Sequence, residues 1–338
     1  MKELCQFYTR NAQYIVGDLL HFIPQGVVVV DPFAGKGDLT KMLPKHKIDR
    51  YDISPKVKST IKRDTLLNPP NYTGKWVLTN PPFLAKNKAK NKATFDKYGL
   101  DDLYKIAIKT IIGCAGGIII VPINLFSTAD DNIRKEFLHH YRILKLKVFE
   151  EQVFKDTSYS VSAFAFKAEP NHKQIVPTQF LPSKDTLQLE LKLSSNYSIA
   201  PDFFDLIEDP DPLPIKRLLT TRPDIKPNSF LYFRATDTGS SDGRIGLSIN
   251  KNFFYGKLST RTFATLVLPL RYGVLNETIQ LKICHSFNKF VEEFRSKYHS
   301  LFLTNYMDAS ARYARKRMSF EMAYQILSYI LKTQFNYL

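Results

Sequence analysis

Short β-branched runs alternate with helically spaced apolar residues throughout the first half of the chain. This alternation restricts that half to a parallel sheet covered by helices. Val27–Asp31 reads as a buried strand and Asp49–Ile53 as a second, ending in an acidic residue. Ile61–Asp64 reads as a third, and Trp76–Thr79 as a fourth that runs into Asn80, Pro81 and Pro82. A short helix is expected at Leu39–Leu43. Asp101–Ile112 carries Leu103, Ile106, Ala107 and Ile111 on helical spacing, Gly117–Val121 is a continuous apolar strand, and Asn132–Tyr141 is helical. Ile143–Phe149 and Ser160–Phe166 are joined by about ten residues, too few for a helical crossover, so they pair antiparallel.

The 338 residues suffice for two domains with sizeable cores. Lys and Arg number 48 against 32 Asp and Glu, a net charge of +16 that favours a polyanionic partner, nucleic acid first and an anionic membrane second. An aromatic content of 13% argues against disorder. Cys5, Cys114 and Cys284 show no CxxC spacing, which suggests neither a disulfide framework nor a zinc site and points to a reducing compartment. The first ten residues lack the apolar stretch of a signal peptide, and the run Gly113–Phe126 is too short and broken to span a bilayer, so a soluble intracellular protein is expected.

Two motifs carry chemistry. Asp31-Pro32-Phe33-Ala34-Gly35-Lys36-Gly37-Asp38 follows a strand and precedes a helix, where glycines let the backbone turn sharply against a ligand. It satisfies neither the dinucleotide GxGxxG pattern nor a phosphate loop, so a ligand without phosphates fits better. S-adenosylmethionine is such a ligand: its amino-acid end can meet loop amides and a strand-end carboxylate, for which Asp31 is the candidate. Asp52, at the end of the second strand, is placed to accept from two ribose hydroxyls; a helix cap is the other reading. In the second motif, Thr79-Asn80-Pro81-Pro82-Phe83, two prolines keep carbonyls out of ladders and available as acceptors. The Asn80 oxygen and the Pro81 carbonyl, each accepting one N–H of the adenine amine, would favour a pyramidal nitrogen with its lone pair exposed. Phe83 would offer a stacking face to a base swung out of its helix. The other reading is a Pro-Pro turn with a core Phe.

These residues resemble the S-adenosylmethionine-dependent amino-methyltransferases, whose DPxxGxG and (D/N/S)PP(Y/F) signatures correspond to Asp31–Gly37 and Asn80–Phe83. The resemblance extends over roughly residues 5–167. It implies a seven-stranded Rossmann-like sheet with an antiparallel last strand. It also implies S-adenosylmethionine as cofactor, bound by Thr9, Asp31, Phe33, Gly35, Gly37, Asp52 and Asp64, with Asn80, Pro81, Pro82 and Phe83 as catalytic residues. For Asp64 an exposed loop carboxylate beside Arg63 is the other reading. Asn-Pro-Pro-Phe resembles adenine-N6 enzymes more than cytosine-N4 ones. Only 15 residues separate Asp64 from Asn80 while 171 follow Lys167, so target reading falls to the C-terminal part, an order similar to the gamma group of DNA adenine methyltransferases. Double-stranded DNA is then the substrate, and a restriction endonuclease acting on the same site is the implied partner.

After Lys167 the βα alternation stops and prolines scatter, placing a domain boundary near 168–175 between a catalytic domain and an α+β target-recognition domain. Three basic groups are candidates for DNA contact: Lys86, Lys88, Lys90 and Lys92 in a segment expected to be mobile; Arg234 and Arg244 flanking a hairpin tip; and Arg312, Arg315, Lys316 and Arg317 ahead of a helix capped by Ser319. A solvated loop, a plain surface hairpin and an exposed helix entry are the respective alternatives. The helical pattern Ile279–Leu301 reads as core. Two further functions remain: an RNA adenine-N6 methyltransferase, and a catalytically silent nucleic-acid-binding protein on the same fold.

Overall fold

A computed structural model describes residues 9, 11–127, 131–154, 160–238, 243–269, 275–306 and 315–335. The chain divides into two compact units, the first reaching Ile199 and the second beginning at Ala200.

The first unit is built in the order α1 (Ala12–Val16), β1 (Val28–Asp31), β2 (Lys47–Asp52), β3 (Ile61–Lys62), β4 (Trp76–Thr79), α2 (Ala93–Tyr98), α3 (Leu103–Ile111), β5 (Gly116–Pro122) and α4 (Asn132–His140). Strands β6 (Tyr141–Phe149), β7 (Val161–Ala168), β8 (Lys173–Leu181) and β9 (Thr186–Lys192) complete it. Its sheet has the order β3-β2-β1-β4-β5-β7-β6-β8-β9. Strands β1 to β5 run parallel, and β7 lies antiparallel between β5 and β6. The first seven strands thus follow the expected pattern, including the β6–β7 hairpin.

The sheet is larger than expected. β8 joins β6 in parallel and β9 closes the sheet antiparallel, making nine strands instead of seven. The boundary expected near residues 168–175 therefore falls inside the sheet, and the division between units lies at 199/200. Proline density misleads here because Pro177 sits within β8 without ending it. The helix expected at Leu39–Leu43 is one 3₁₀ turn, Thr40–Met42.

Every residue of β5 is buried, as a strand covered on both faces must be. Gly117 is dictated by close approach: a Cβ there would lie 2.4 Å from the Val77 carbonyl oxygen. At the start of the unit, Lys147 of β6 donates to the Tyr14 carbonyl at 2.8 Å and pairs with Asp18 at 2.5 Å, which anchors the segment following Thr9.

The second unit contains α5 (Pro201–Ile207), β10 (Lys216–Arg217), β11 (Leu231–Arg234), β12 (Gly246–Ile249), β13 (Phe263–Val267), α6 (Glu277–Lys297), β14 (Thr304–Tyr306), β15 (Arg315–Arg317) and α7 (Phe320–Gln334). A four-stranded sheet of order β10-β13-β11-β12 and a β14–β15 pair make up its strands. Leu231, Phe233, Leu247 and Leu266 face α6 and α7, meeting Phe287, Phe290, Ile326 and Leu327 in one core. The expected hairpin partners, core-facing α6 and Ser319 cap are all present, the Ser319 hydroxyl accepting from the Met322 N–H at 3.0 Å. At the base of the β11–β12 connection, Arg295 grips Asp237 through two hydrogen bonds of 3.0 and 2.8 Å. Among the described residues no helix is long and apolar enough to cross a membrane.

Candidate functional site

Strand order puts the two motifs side by side. β1 and β4 are adjacent and parallel, so the residues that leave their carboxyl ends emerge together, where open α/β sheets hold ligands. Asp31 ends β1 and Thr79 ends β4, and the Thr79 hydroxyl donates to Asp31 Oδ1 at 3.1 Å. The Phe33 N–H donates to the same oxygen at 3.2 Å. Asp31 is only 1% exposed, and burial pushes its carboxyl up to about 7 against the lowering effect of these two donors.

Gly37 has φ +72°, a left-handed conformation that suits glycine, and its N–H closes a turn onto the Ala34 carbonyl at 2.7 Å. The loop is tied to the end of β2: the Ala34 N–H donates to the Tyr51 carbonyl at 2.9 Å, and the Gly35 N–H to Asp52 Oδ2 at 2.8 Å. The other Asp52 oxygen accepts the Ser54 N–H at 2.7 Å. Asp52 thus clamps the glycine loop to the strand beside it. The N–H groups of Phe33, Ala34, Gly35 and Gly37 are all spent inside the protein, so the expectation that they meet a ligand carboxylate is not met in this conformation.

One cleft is lined by Thr9, Asp31, Phe33, Gly35 and Asn80, together with Lys36 and Leu39. Five expected site residues therefore converge from three separate stretches of chain. Asn80 Nδ2 donates to Thr9 Oγ1 at 3.2 Å. The cleft's open volume is about 20 Å³, room for a single water-sized sphere, so a larger ligand extends beyond it or displaces part of the wall. The carboxylate of Asp31, the Thr9 hydroxyl and the Asn80 amide suit the ammonium end of an amino acid, and Lys36 is the cation in the same lining.

Other expectations are corrected. Phe83 is 1% exposed and lies edge-on to Tyr104, with centroids 6.3 Å apart; its faces are covered, and here it serves as the core anchor of the Pro-Pro turn. Asp64 accepts the Leu66 and Leu67 N–H groups at 3.1 Å, capping the turn that follows instead of reaching the cleft. The lysine segment expected to be mobile begins with local structure. Lys86–Lys88 form a 3₁₀ turn, and Lys86 pairs with Asp96 at 2.7 Å. Lys88, Lys90 and Lys92 are exposed. In β15, Lys316 is buried and donates to Asn305 Oδ1 at 2.7 Å, because strand alternation turns it inward between Arg315 and Arg317. Arg312 lies outside the described residues. Arg234 and Arg244 do line one groove, where Arg244 pairs with Glu292 at 2.8 Å.

Two residues escaped the sequence reading. The Thr65 hydroxyl, buried, donates to the Pro32 carbonyl at 2.9 Å and braces the first motif. Asp102, 8% exposed, accepts the Leu84 N–H at 3.1 Å and caps α3 by accepting from Tyr104. Backbone bonds from Lys86 to Asp101 and from Leu103 to Leu84, at 2.7 and 3.1 Å, complete a stitch between the Pro-Pro turn's exit and α3. Burial pushes the Asp102 carboxyl up to about 6. An Asp directly before helical spacing was a visible capping signal.

No family model and no curated protein matches this chain by sequence. Solved structures similar to it include a modification subunit described as part of a type I restriction enzyme from Vibrio vulnificus YJ016. That alignment has 14% identity and a TM-score of 0.42, over 59% of this chain and 51% of that one. Another is a protein described as a class I S-adenosylmethionine-dependent methyltransferase from Listeria monocytogenes, with 16% identity and a TM-score of 0.42, over 52% of this chain and 68% of that one. A third is a type I restriction-modification methyltransferase subunit from Streptococcus thermophilus, with 12% identity and a TM-score of 0.42, over 58% and 59% respectively. The chain spans about half the length of the first of these.

Proposed function

We propose that this chain is an S-adenosylmethionine-dependent DNA methyltransferase that acts on the N6 amine of adenine within a short duplex sequence. The observation that carries the reading is the convergence of Asp31, Gly35, Thr9 and Asn80 on one cleft at the carboxyl ends of β1 and β4. The cofactor, when bound, supplies a methyl group on a positively charged sulfur. Asp31 would hold its ammonium end, and Asp52, which clamps the loop, would accept from the ribose hydroxyls. The Asn80 oxygen and the Pro81 carbonyl would accept the two N–H bonds of the adenine amine, orienting its lone pair for attack. Phe83 contributes by anchoring the turn that carries these acceptors.

The second unit would read the target sequence, with Arg234 and Arg244 as its candidate contacts, and Lys88, Lys90 and Lys92 would meet phosphates. A restriction endonuclease recognising the same sequence is the partner this activity implies. The test is transfer of labelled methyl from S-adenosylmethionine to unmethylated duplex DNA and to RNA, with nucleoside analysis and Asn80→Ala as control. N6-methyladenine in DNA, lost in the variant, is the expected result. Label in RNA alone would replace this reading by an RNA enzyme, and label in neither by a binding module.

A further inference from the structure

In the second unit, Phe253, Tyr255 and Leu258 are 39%, 43% and 70% exposed within one short loop. Phe253 stands over the face of the four-stranded sheet opposite its core, against Phe230, and Tyr255 and Leu258 follow it in the same loop. Leu231 and Phe233 of β11 point into the core, so alternation turns Phe230, Tyr232 and Arg234 outward. Phe263 of β13 is the direct cross-strand partner of Arg234 and shares that face. The loop folds back upon it, the Phe254 N–H donating to Thr265 Oγ1 at 2.9 Å.

The rings on this face are ordered. Phe253 lies parallel to Phe230 at 5.7 Å between centroids and 9° between planes, and Tyr232 lies parallel to Phe263 at 5.6 Å and 15°. The Arg234 guanidinium sits 5.1 Å above the Phe263 ring. None of these rings belongs to the core that α6 and α7 seal, so the unit keeps a second aromatic layer outside its core. Phe253 is exposed and Phe230, Tyr232 and Phe263 are half-buried, and a contiguous, partly exposed apolar layer of this kind marks a surface that meets a partner.

Charge and the sheet edge indicate the partner's chemistry. Arg234 and Arg244 line the adjoining groove, where Glu292 pairs with Arg244, and Lys257 and Arg261 lie in the exposed chain between Phe253 and Phe263, on a chain of net charge +16. A protein strand adding to the sheet would use one of its two edges, but at β12 the Asn288 amide accepts the Leu247 N–H at 2.8 Å and donates to the Leu247 carbonyl at 2.9 Å, and beyond β10 Gly256 already bonds Leu218 and Thr220 at 3.1 and 2.9 Å. Aromatic faces combined with arginine on an antiparallel sheet are suited to stacking with bases that are not themselves stacked in a duplex.

We infer that the outer face of the second unit's sheet is a stacking platform for unpaired nucleotides, with Arg234 placed to meet the adjoining phosphate. The polymer rests on the proposed methyltransferase reading, in which a base must leave its helix and expose its neighbours. The platform itself is tested apart from that reaction. A fluorescein-labelled twelve-nucleotide oligothymidylate contains no adenine and so cannot be a methyl acceptor under the proposed activity.

Its binding to the full chain, followed by anisotropy, should weaken about tenfold in Phe253→Ala and again in Tyr255→Ala. Phe253→Tyr, which keeps the ring, should bind like the unsubstituted protein, and thermal unfolding should show all three variants folded. Cofactor affinity should not change in any of them. Oligothymidylate binding that both alanine variants leave intact would overturn the platform. So would the same variants dissociating a self-associated form in sedimentation without altering oligonucleotide binding, which would assign the face to a second copy of this chain. If the oligonucleotide binds as expected while no substrate is methylated, the platform stands and the proposed reaction fails.

Discussion

Asn80 Nδ2 donates to Thr9 Oγ1 at 3.2 Å, across 71 residues of chain, and both side chains are buried. The bond ties the Asn80 amide to Thr9 and so holds the side chain on which the proposed chemistry depends. Asn80→Ala should lower the methyl-transfer rate by about 10² to 10³, the scale seen when one aligned polar group is lost from an active site. Thr9→Val leaves the Asn80 amide in place but removes its hydroxyl partner in the cleft, and at saturating cofactor should cost about tenfold, within the range expected when positioning is loosened. Single-turnover transfer of labelled methyl separates the two; a Thr9→Val rate equal to that of the unsubstituted protein would show that the hydroxyl orients nothing.

Asp31 predicts a specific pH dependence. Burial raises its folded-state carboxyl to about 7 from an ordinary value of 3.8, so folding favours the protonated form. Its contribution to stability is fully present below 3.8 and is lost as pH rises through about 7. Asp31→Asn keeps an oxygen for the Phe33 N–H and the Thr79 hydroxyl but carries no charge. The variant should therefore unfold at a higher temperature than the unsubstituted protein at pH 8, with the gap closing below pH 4. It should also bind S-adenosylmethionine less tightly above pH 7, where the unsubstituted carboxyl is charged, with the difference narrowing as pH falls. Unfolding midpoints across this range, paired with calorimetric titration, check both halves; a variant less stable at pH 8 would contradict the assigned burial cost.

Asp102 holds the exit of the Pro-Pro turn from outside the cleft. Asp102→Ala leaves the Leu84 and Tyr104 N–H groups without this acceptor and should destabilise the protein by about 1–3 kcal/mol. Asp102→Asn retains an acceptor and should recover much of that loss. If the stitch positions Asn80, the alanine variant should lower kcat more than it raises KM for the cofactor, with the asparagine variant intermediate. Equal loss of stability with unchanged kcat would confine Asp102 to folding.

Within the parallel core, β1, β4 and β5 were legible in sequence because each is a compact apolar run, and β2, though largely polar, ends as β1 and β4 do in a chemically distinctive residue: Asp52, beside Asp31 and Thr79. β8 and β9 were not, since on them buried Val176, Leu189 and Leu191 alternate with exposed or half-buried residues, and Pro177 reads as a break. Within the site, Asp31, Gly35 and Asn80 could be named from motif and position alone. The capping role of Asp64, the inward turn of Lys316 and the burial of Phe83 depend on which face of a turn or strand each residue occupies. Local composition does not encode that choice; packing decides it.

Phosphate contact by the segment after the Pro-Pro turn has a measurable signature in salt. Each phosphate neutralised on duplex DNA contributes about −0.9 to the slope of log affinity against log salt. Lys88 and Lys92 are exposed, whereas Lys86 is paired with Asp96. If both exposed lysines meet phosphates, the double variant Lys88→Ala, Lys92→Ala should flatten that slope by about 1.8, two contacts at this increment. Lys86→Ala should change it less, because binding there must first break an existing ion pair. Affinities for duplex DNA measured from low to physiological salt provide the slopes, and a double variant with an unaltered slope would remove this segment from the DNA-binding surface.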